Sequence, residues 1–329
     1  MPSSSGPVAA MERHQVAVYL GALACGGAVG RLAPGAGPAL EHAISPVLAA
    51  LLYVTFLQVP AAELVRSLRA GRFLAAALVV NFAVAPLAVA AMFPFLPDDR
   101  AVRLGVLLVL LTPCVDYVIV FSGLAGGSHR RLLAATPLLL LAQMVLLPGY
   151  LFLFMGPGLA DVVEAGPFVE AFVVLIAVPL ALAWLTQAWA ARRPAGRRLA
   201  GASGASGATM VPLMAATLFT VVASQVPGID AAGSVGGVAR VVPFYVLFLV
   251  VMAFAGLGVA RAFGLDAPSG RAIVFTGATR NSLVVLPLAL ALPDALAVAA
   301  VVVVAQTLVE VVGMVVYVRA VPRLLPLHP

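Results

Sequence analysis

Ten long apolar stretches run along this chain, each closed by a short polar, glycine- or proline-marked break. They cover residues 15–33, 43–62, 73–96, 103–123, 133–155, 168–190, 209–226, 241–262, 271–292 and 295–318. An α-helix rises about 1.5 Å per residue, so about 20 mostly apolar residues cross the hydrocarbon core of a bilayer. A helix is the expected form because a spanning segment must satisfy its own backbone where no water reaches. The pattern therefore predicts an all-α fold, a polytopic membrane protein of ten transmembrane helices.

Two stretches are interrupted. The fourth carries Thr112-Pro113-Cys114-Val115-Asp116, and the ninth carries Thr276-Gly277-Ala278-Thr279-Arg280-Asn281-Ser282. Pro113 lacks an N–H and clashes with the preceding turn, so the helix kinks or breaks there. An ionisable group at such depth costs about 2.5–3.5 kcal/mol on insertion scales, which makes Asp116 a candidate functional residue. A broken helix leaves backbone groups that only protein or a water-lined cavity can meet, the setting of a transporter's binding site. Arg280 offers a fixed fork of donors, and Asn281 and Ser282 offer neutral oxygen ligands.

Other polar side chains fall inside spans: Asn81 in the third, Gln143 in the fifth, Gln306 and Glu310 in the tenth. The last two are four residues apart and share a helical face. Asn81 and Gln143 suit two roles, as ligands or as interhelical hydrogen-bond partners worth about 0.6 kcal/mol each. Glu310 has too short a reach to snorkel far, which favours a functional role.

The chain also repeats itself. Leu138-Leu-Leu-Leu-Ala142-Gln143 mirrors Val301-Val-Val-Val-Ala305-Gln306, and Thr112 lies 31 residues before Gln143 as Thr276 lies 30 before Gln306. The fourth and fifth spans thus correspond to the ninth and tenth. One repeat then covers residues 15–155 and the second 168–320 of a single membrane domain, 1–329. Repeats of five helices insert with opposite topology, and binding sites of inverted repeats lie at their interface near the midplane. In this alignment Asp116 matches Arg280. If the fourth and ninth helices cross, the two charges are expected to pair, in an architectural or a functional role.

Composition adds orientation and excludes classes. Hydrophobic residues make up 63% and charged residues 10% of the chain, against about 25% charged in soluble domains. All 19 basic residues are Arg, which excludes lysine Schiff-base chemistry. With the N-terminus inside, 14 arginines fall in cytoplasmic segments and only Arg31, Arg100, Arg103 and Arg240 in outer ones. That bias predicts cytoplasmic N- and C-termini in the plasma membrane, and it accounts for the net charge of +6 without a nucleic-acid partner. Residues 191–208, rich in Arg, Gly, Ala and Ser, read as a flexible cytoplasmic loop. Cys25 and Cys114 both lie in apolar stretches, so no disulfide framework is expected. His14, His42, His129 and His328 fall at loops or ends, and no His-Glu-x-x-His, Gly-x-Ser-x-Gly or ATP-binding loop is present. An intramembrane enzyme is therefore disfavoured, no metal or cofactor is expected, and any pumping is secondary.

These residues carry a family likeness. Ten spans, Asn81-Phe-Ala-Val-Ala-Pro86-Leu in the third, Thr112-Pro113-Cys114 in the fourth and a glutamate in the tenth resemble the bile acid/sodium symporter superfamily. Within it the likeness is greatest to the arsenite permeases of arsenic resistance. The resemblance implies crossed, broken fourth and ninth helices flanking the substrate path, with Pro113 and Gly277 at the breaks. It implies a functional cysteine, matched by Cys114, and an acidic residue in the last helix, matched by Glu310. A thiolate suits thiophilic As(III). Where the family carries small or neutral polar residues, this chain has Val115, Asp116 and Arg280.

The function expected is proton-coupled efflux of arsenite or a related metalloid oxyanion, with the bilayer as surroundings. Cys114, Thr112, Arg280, Asn281 and Ser282 would meet the substrate. Asp116, Glu310, Gln306, Gln143 and Asn81 would serve the coupling ion. The alternative is sodium- or proton-coupled transport of an organic anion whose carboxylate Arg280 holds.

Overall fold

The computed structural model describes residues 14–57, 71–114, 117–156, 170, 173–192, 207–231 and 235–326. Among them every regular element is helical. In chain order these are α1 (Gln15–Leu32), α2 (Gly37–Leu57), α3 (Gly71–Val79), a π-turn (Val80–Val84), α4 (Ala85–Met92), α5 (Arg100–Leu110), α6 (Tyr117–Leu124) and α7 (His129–Met155). A second π-turn (Val173–Ala177) leads into α8 (Val178–Arg192), followed by α9 (Gly207–Ala231), α10 (Val235–Ala262), α11 (Ala267–Ala278), α12 (Ser282–Leu290) and α13 (Val298–Leu324). Among the described residues six helical runs are long and apolar enough to cross a membrane: Pro34–Leu57, Gly71–Phe95, Leu138–Met155, Thr209–Val226, Ala239–Ala262 and Val298–Leu324. Most of the loop expected at 191–208 lies outside the described residues.

The chain forms two compact units, one of Met1–Pro60 with Val169–Gly233 and the other of Ala61–Phe168 with Ser234–Pro329. The first holds α1, α2, α8 and α9. Within it α9 packs along α1 and α2. Gly26 and Gly30, four apart on one face of α1, permit that approach: a Cβ at Gly26 would stand 2.7 Å from Phe219 O, and one at Gly30 would stand 2.8 Å from Ala223 O. Small residues at this spacing let helix backbones touch in membranes.

The second unit holds α3 to α7 and α10 to α13. Its α5 and α13 meet at Gly105, where a Cβ would lie 2.8 Å from Ala299 O. Here the fourth and ninth apolar stretches are each carried by two short helices. Helix α5 starts under Asp99, whose carboxylate accepts from Val102 N at 3.0 Å. It ends at Leu110 because a residue before proline is pushed out of the helical region, and Thr112 precedes Pro113. Helix α11 ends where Thr279 turns to extended backbone, φ −79° and ψ 136°. Chain direction resumes at α12 under Asn281, whose Oδ1 accepts from Val284 N at 3.3 Å.

Candidate functional site

The two breaks meet. Cys114 N donates to Thr279 O at 3.2 Å and Asn281 N donates to Thr112 O at 2.8 Å. This is an antiparallel bridge between Pro113 and Arg280. It answers a strict requirement, since unpaired N–H and C=O groups away from water cost as much as a lost hydrogen bond. Thr112 and Thr279 turn their hydroxyls back onto Leu108 O (2.6 Å) and Phe275 O (2.8 Å), so they finish their own helices. Gly277 permits the close fit, because a Cβ there would lie 2.7 Å from Val80 Cγ2.

Arg280 is 0% exposed. Its Nη2 donates to Asn81 Oδ1 (2.9 Å), Thr276 O (3.0 Å) and Gly277 O, and its Nη1 donates to Leu110 O (3.3 Å). The guanidinium thus gathers carbonyls from the C-terminal ends of both α5 and α11, groups that a helix end leaves without partners. Asn81 sits in the π-turn, a feature common at functional sites. Its amide nitrogen donates to Ala77 O (2.9 Å) and Thr276 Oγ1 (3.2 Å), which fixes its oxygen toward Arg280. The Phe248 ring centroid lies 5.4 Å from Arg280 Cζ, in cation–π range.

Glu310 is equally buried. Three donors reach its carboxylate: the Tyr117 hydroxyl, the Gln306 amide one turn back, and Arg280 N at 2.8 Å. The Tyr117 hydroxyl also lies 3.2 Å from Arg280 O, and Ser282 sits beside it. Cys114 is buried at the crossing, close enough to Tyr117 and Arg280 to interact electrostatically with both.

The structure therefore brings Asn81, Thr112, Pro113, Cys114, Gly277, Arg280, Asn281, Ser282, Gln306 and Glu310 into one buried cluster of the second unit. Gln143 is buried on α7, with no partner for its Oε1 among the described residues and no bond to the crossing. Asp116 lies outside the described residues, and so does its expected pairing with Arg280. Cys25 is exposed on α1, in the other unit. Sequence reasoning passes over Tyr117 and names Thr276 only as a marker of the repeat. The signal for Tyr117 was a phenol in mid-span, since a buried tyrosine hydroxyl needs a polar partner. Removing that hydroxyl in Tyr117→Phe leaves Glu310 one donor short, with an expected cost of about 1–3 kcal/mol. Thermal melts of detergent-purified protein check this, and an unchanged melting temperature would mean the hydroxyl is idle.

Among the described residues neutral carbonyls, a carboxylate, a guanidinium and a thiol meet at the junction of two half-helices. Such a set offers both donors and acceptors to a small polar solute. No curated protein matches the sequence. The sodium bile acid symporter family model matches residues 45–232, taking in Asn81, the Thr112–Tyr117 break and Gln143. That match spans more than half of this multi-pass membrane protein, and the chain belongs to the sodium bile acid symporter family.

Proposed function

We propose that this protein is a secondary transporter that exports arsenite or a related metalloid oxyanion in exchange for entering protons, by alternating access around the crossing. The observation that carries the reading is the pairing of two unwound segments, which gathers a thiol, three amides and a carboxylate away from solvent. Cys114 supplies the soft ligand that As(III) prefers. Asn281 Nδ2 and Gln306 Oε1 are buried without protein partners among the described residues, so they are open to a substrate's hydroxyls. Glu310 or Asp116 carries the proton.

An inverted repeat underlies this mechanism. It is supported by the division of the chain, because each five-span repeat gives its first two spans to one compact unit and its last three to the other. The arginine bias supports cytoplasmic termini in the plasma membrane. The family's name favours a second reading, sodium-coupled transport of an organic anion. Counterflow in proteoliposomes separates the two, since exchange needs no driving gradient. Vesicles loaded with unlabelled arsenite should take up labelled arsenite, whereas vesicles loaded with a bile acid should not take up labelled bile acid. The reverse pattern would put the organic-anion reading first, and exchange of neither would remove both substrates.

A further inference from the structure

We propose that the Arg280 guanidinium is a built-in cation, filling an oxygen-lined cation site at the crossing so that this chain needs no sodium ion there. The argument starts from the half-helices. Helices α5 and α11 both end at the crossing, and each C-terminus carries about half a negative charge together with orphan carbonyls. Their last carbonyls, Leu110 O, Thr276 O and Gly277 O, converge with Asn81 Oδ1 on the two terminal nitrogens of one guanidinium. Four oxygens from three separate stretches of chain, with the Glu310 carboxylate against the adjoining backbone, form the donor set that hard cations take.

The shape of the pocket also speaks for a cation rather than for a guanidinium fork. Three of the four oxygens crowd onto Nη2, which has only two hydrogens to give. Nε, which completes the planar fork in bidentate recognition, has no partner among the described residues. A pocket evolved around the fork would share its oxygens among all three nitrogens. This one sets three of the four on Nη2 and the fourth on the neighbouring Nη1. The oxygens are held by helix ends and by the locked Asn81 amide, so the cluster does not depend on Arg280 for its form.

For transport, the inference rests on the reading above and sharpens it: a cation tethered to the chain cannot be exchanged across the membrane, so sodium is not the coupling ion at this place. The test itself needs no transport. Thermal unfolding of the purified full-length protein is measured in sodium chloride, in choline chloride of equal ionic strength, and in choline chloride with low-millimolar guanidinium. Wild type should melt at the same temperature in all three. Arg280→Ala should melt several degrees lower in choline chloride and recover in sodium or with guanidinium, because a ligand that binds only the native state raises its stability. A sodium-specific rise of several degrees in wild type would overturn the proposal, as would a folded Arg280→Ala protein that gains from neither cation. Should Arg280→Ala not be recovered folded, Arg280→Lys and Arg280→Met decide. The lysine keeps a cation and should yield folded protein, the methionine should not, and equal recovery of the two would overturn the idea. Failure here leaves arsenite transport standing, and failure of arsenite flux leaves this result standing.

Discussion

Glu310→Ala should abolish transport and also destabilise the protein by about 3–5 kcal/mol, the cost of removing one member of a buried set of opposite charges. Three donors lose their acceptor at once: the Tyr117 hydroxyl, the Gln306 amide and the Arg280 backbone N–H. The last matters most, because Arg280 N belongs to an unwound segment with no helical carbonyl to turn to. Glu310→Gln separates the two roles of the residue. It is close in size and still offers an oxygen, so it should fold and reach the membrane, but it carries no titrating proton. Melting temperature and proton-driven flux, measured on both variants, check this. A Glu310→Ala protein that melts and transports like wild type would show the carboxylate to be an ordinary packing group.

Cys114→Ser is expected to fold normally and to lose protection of arsenite-sensitive cells. The serine side chain is near in size and the crossing is held by the backbone of Cys114, through its bond to Thr279 O, so the bridge survives the change. What disappears is the soft donor, and an oxygen at the same place binds As(III) far less well. Cys25→Ser is the control: Cys25 is exposed on α1 and should be silent in the same cells. Normal resistance in well-expressed Cys114→Ser cells would take away the main reason for choosing arsenite and would move the organic-anion reading ahead.

Much of the crossing is legible in the sequence because its cause is local. Pro113 within Thr112-Pro113-Cys114 marks the end of α5, although proline alone is no stop here, since Pro46, Pro243, Pro287 and Pro322 lie inside helices, and a run of Thr, Arg, Asn and Ser inside an apolar stretch marks the second break. The partners of Arg280 were not legible. Aligning the repeats offers it Asp116, which lies outside the described residues, and gives no hint of the guanidinium hydrogen bonds that are described, to three main-chain carbonyls and Asn81. Every residue carries a carbonyl, so a sequence gives no sign of which ones lose their helical partner and gather at one point. Tyr117 was missed for a related reason, since its hydroxyl matters through Glu310, 193 residues away in the chain. The π-turn that presents Asn81 also leaves no plain mark in residues 80–84, and it sets which way that amide faces. The apolar pattern marks helices but not their lengths: α10 and α11 begin upstream of the apolar stretches, at Val235 and Ala267, because helix ends continue into polar sequence.

The most direct measurement is labelled arsenite uptake into everted membrane vesicles, with a pH gradient and a sodium gradient imposed one at a time. Export coupled to proton entry predicts accumulation when the vesicle interior is acidic, loss of that accumulation when an ionophore collapses the pH gradient, and no accumulation from a sodium gradient alone. Vesicles carrying Cys114→Ser should stay at background under all three conditions. Arsenite driven by sodium and indifferent to pH, or equal uptake by wild-type and Cys114→Ser vesicles, would contradict the account.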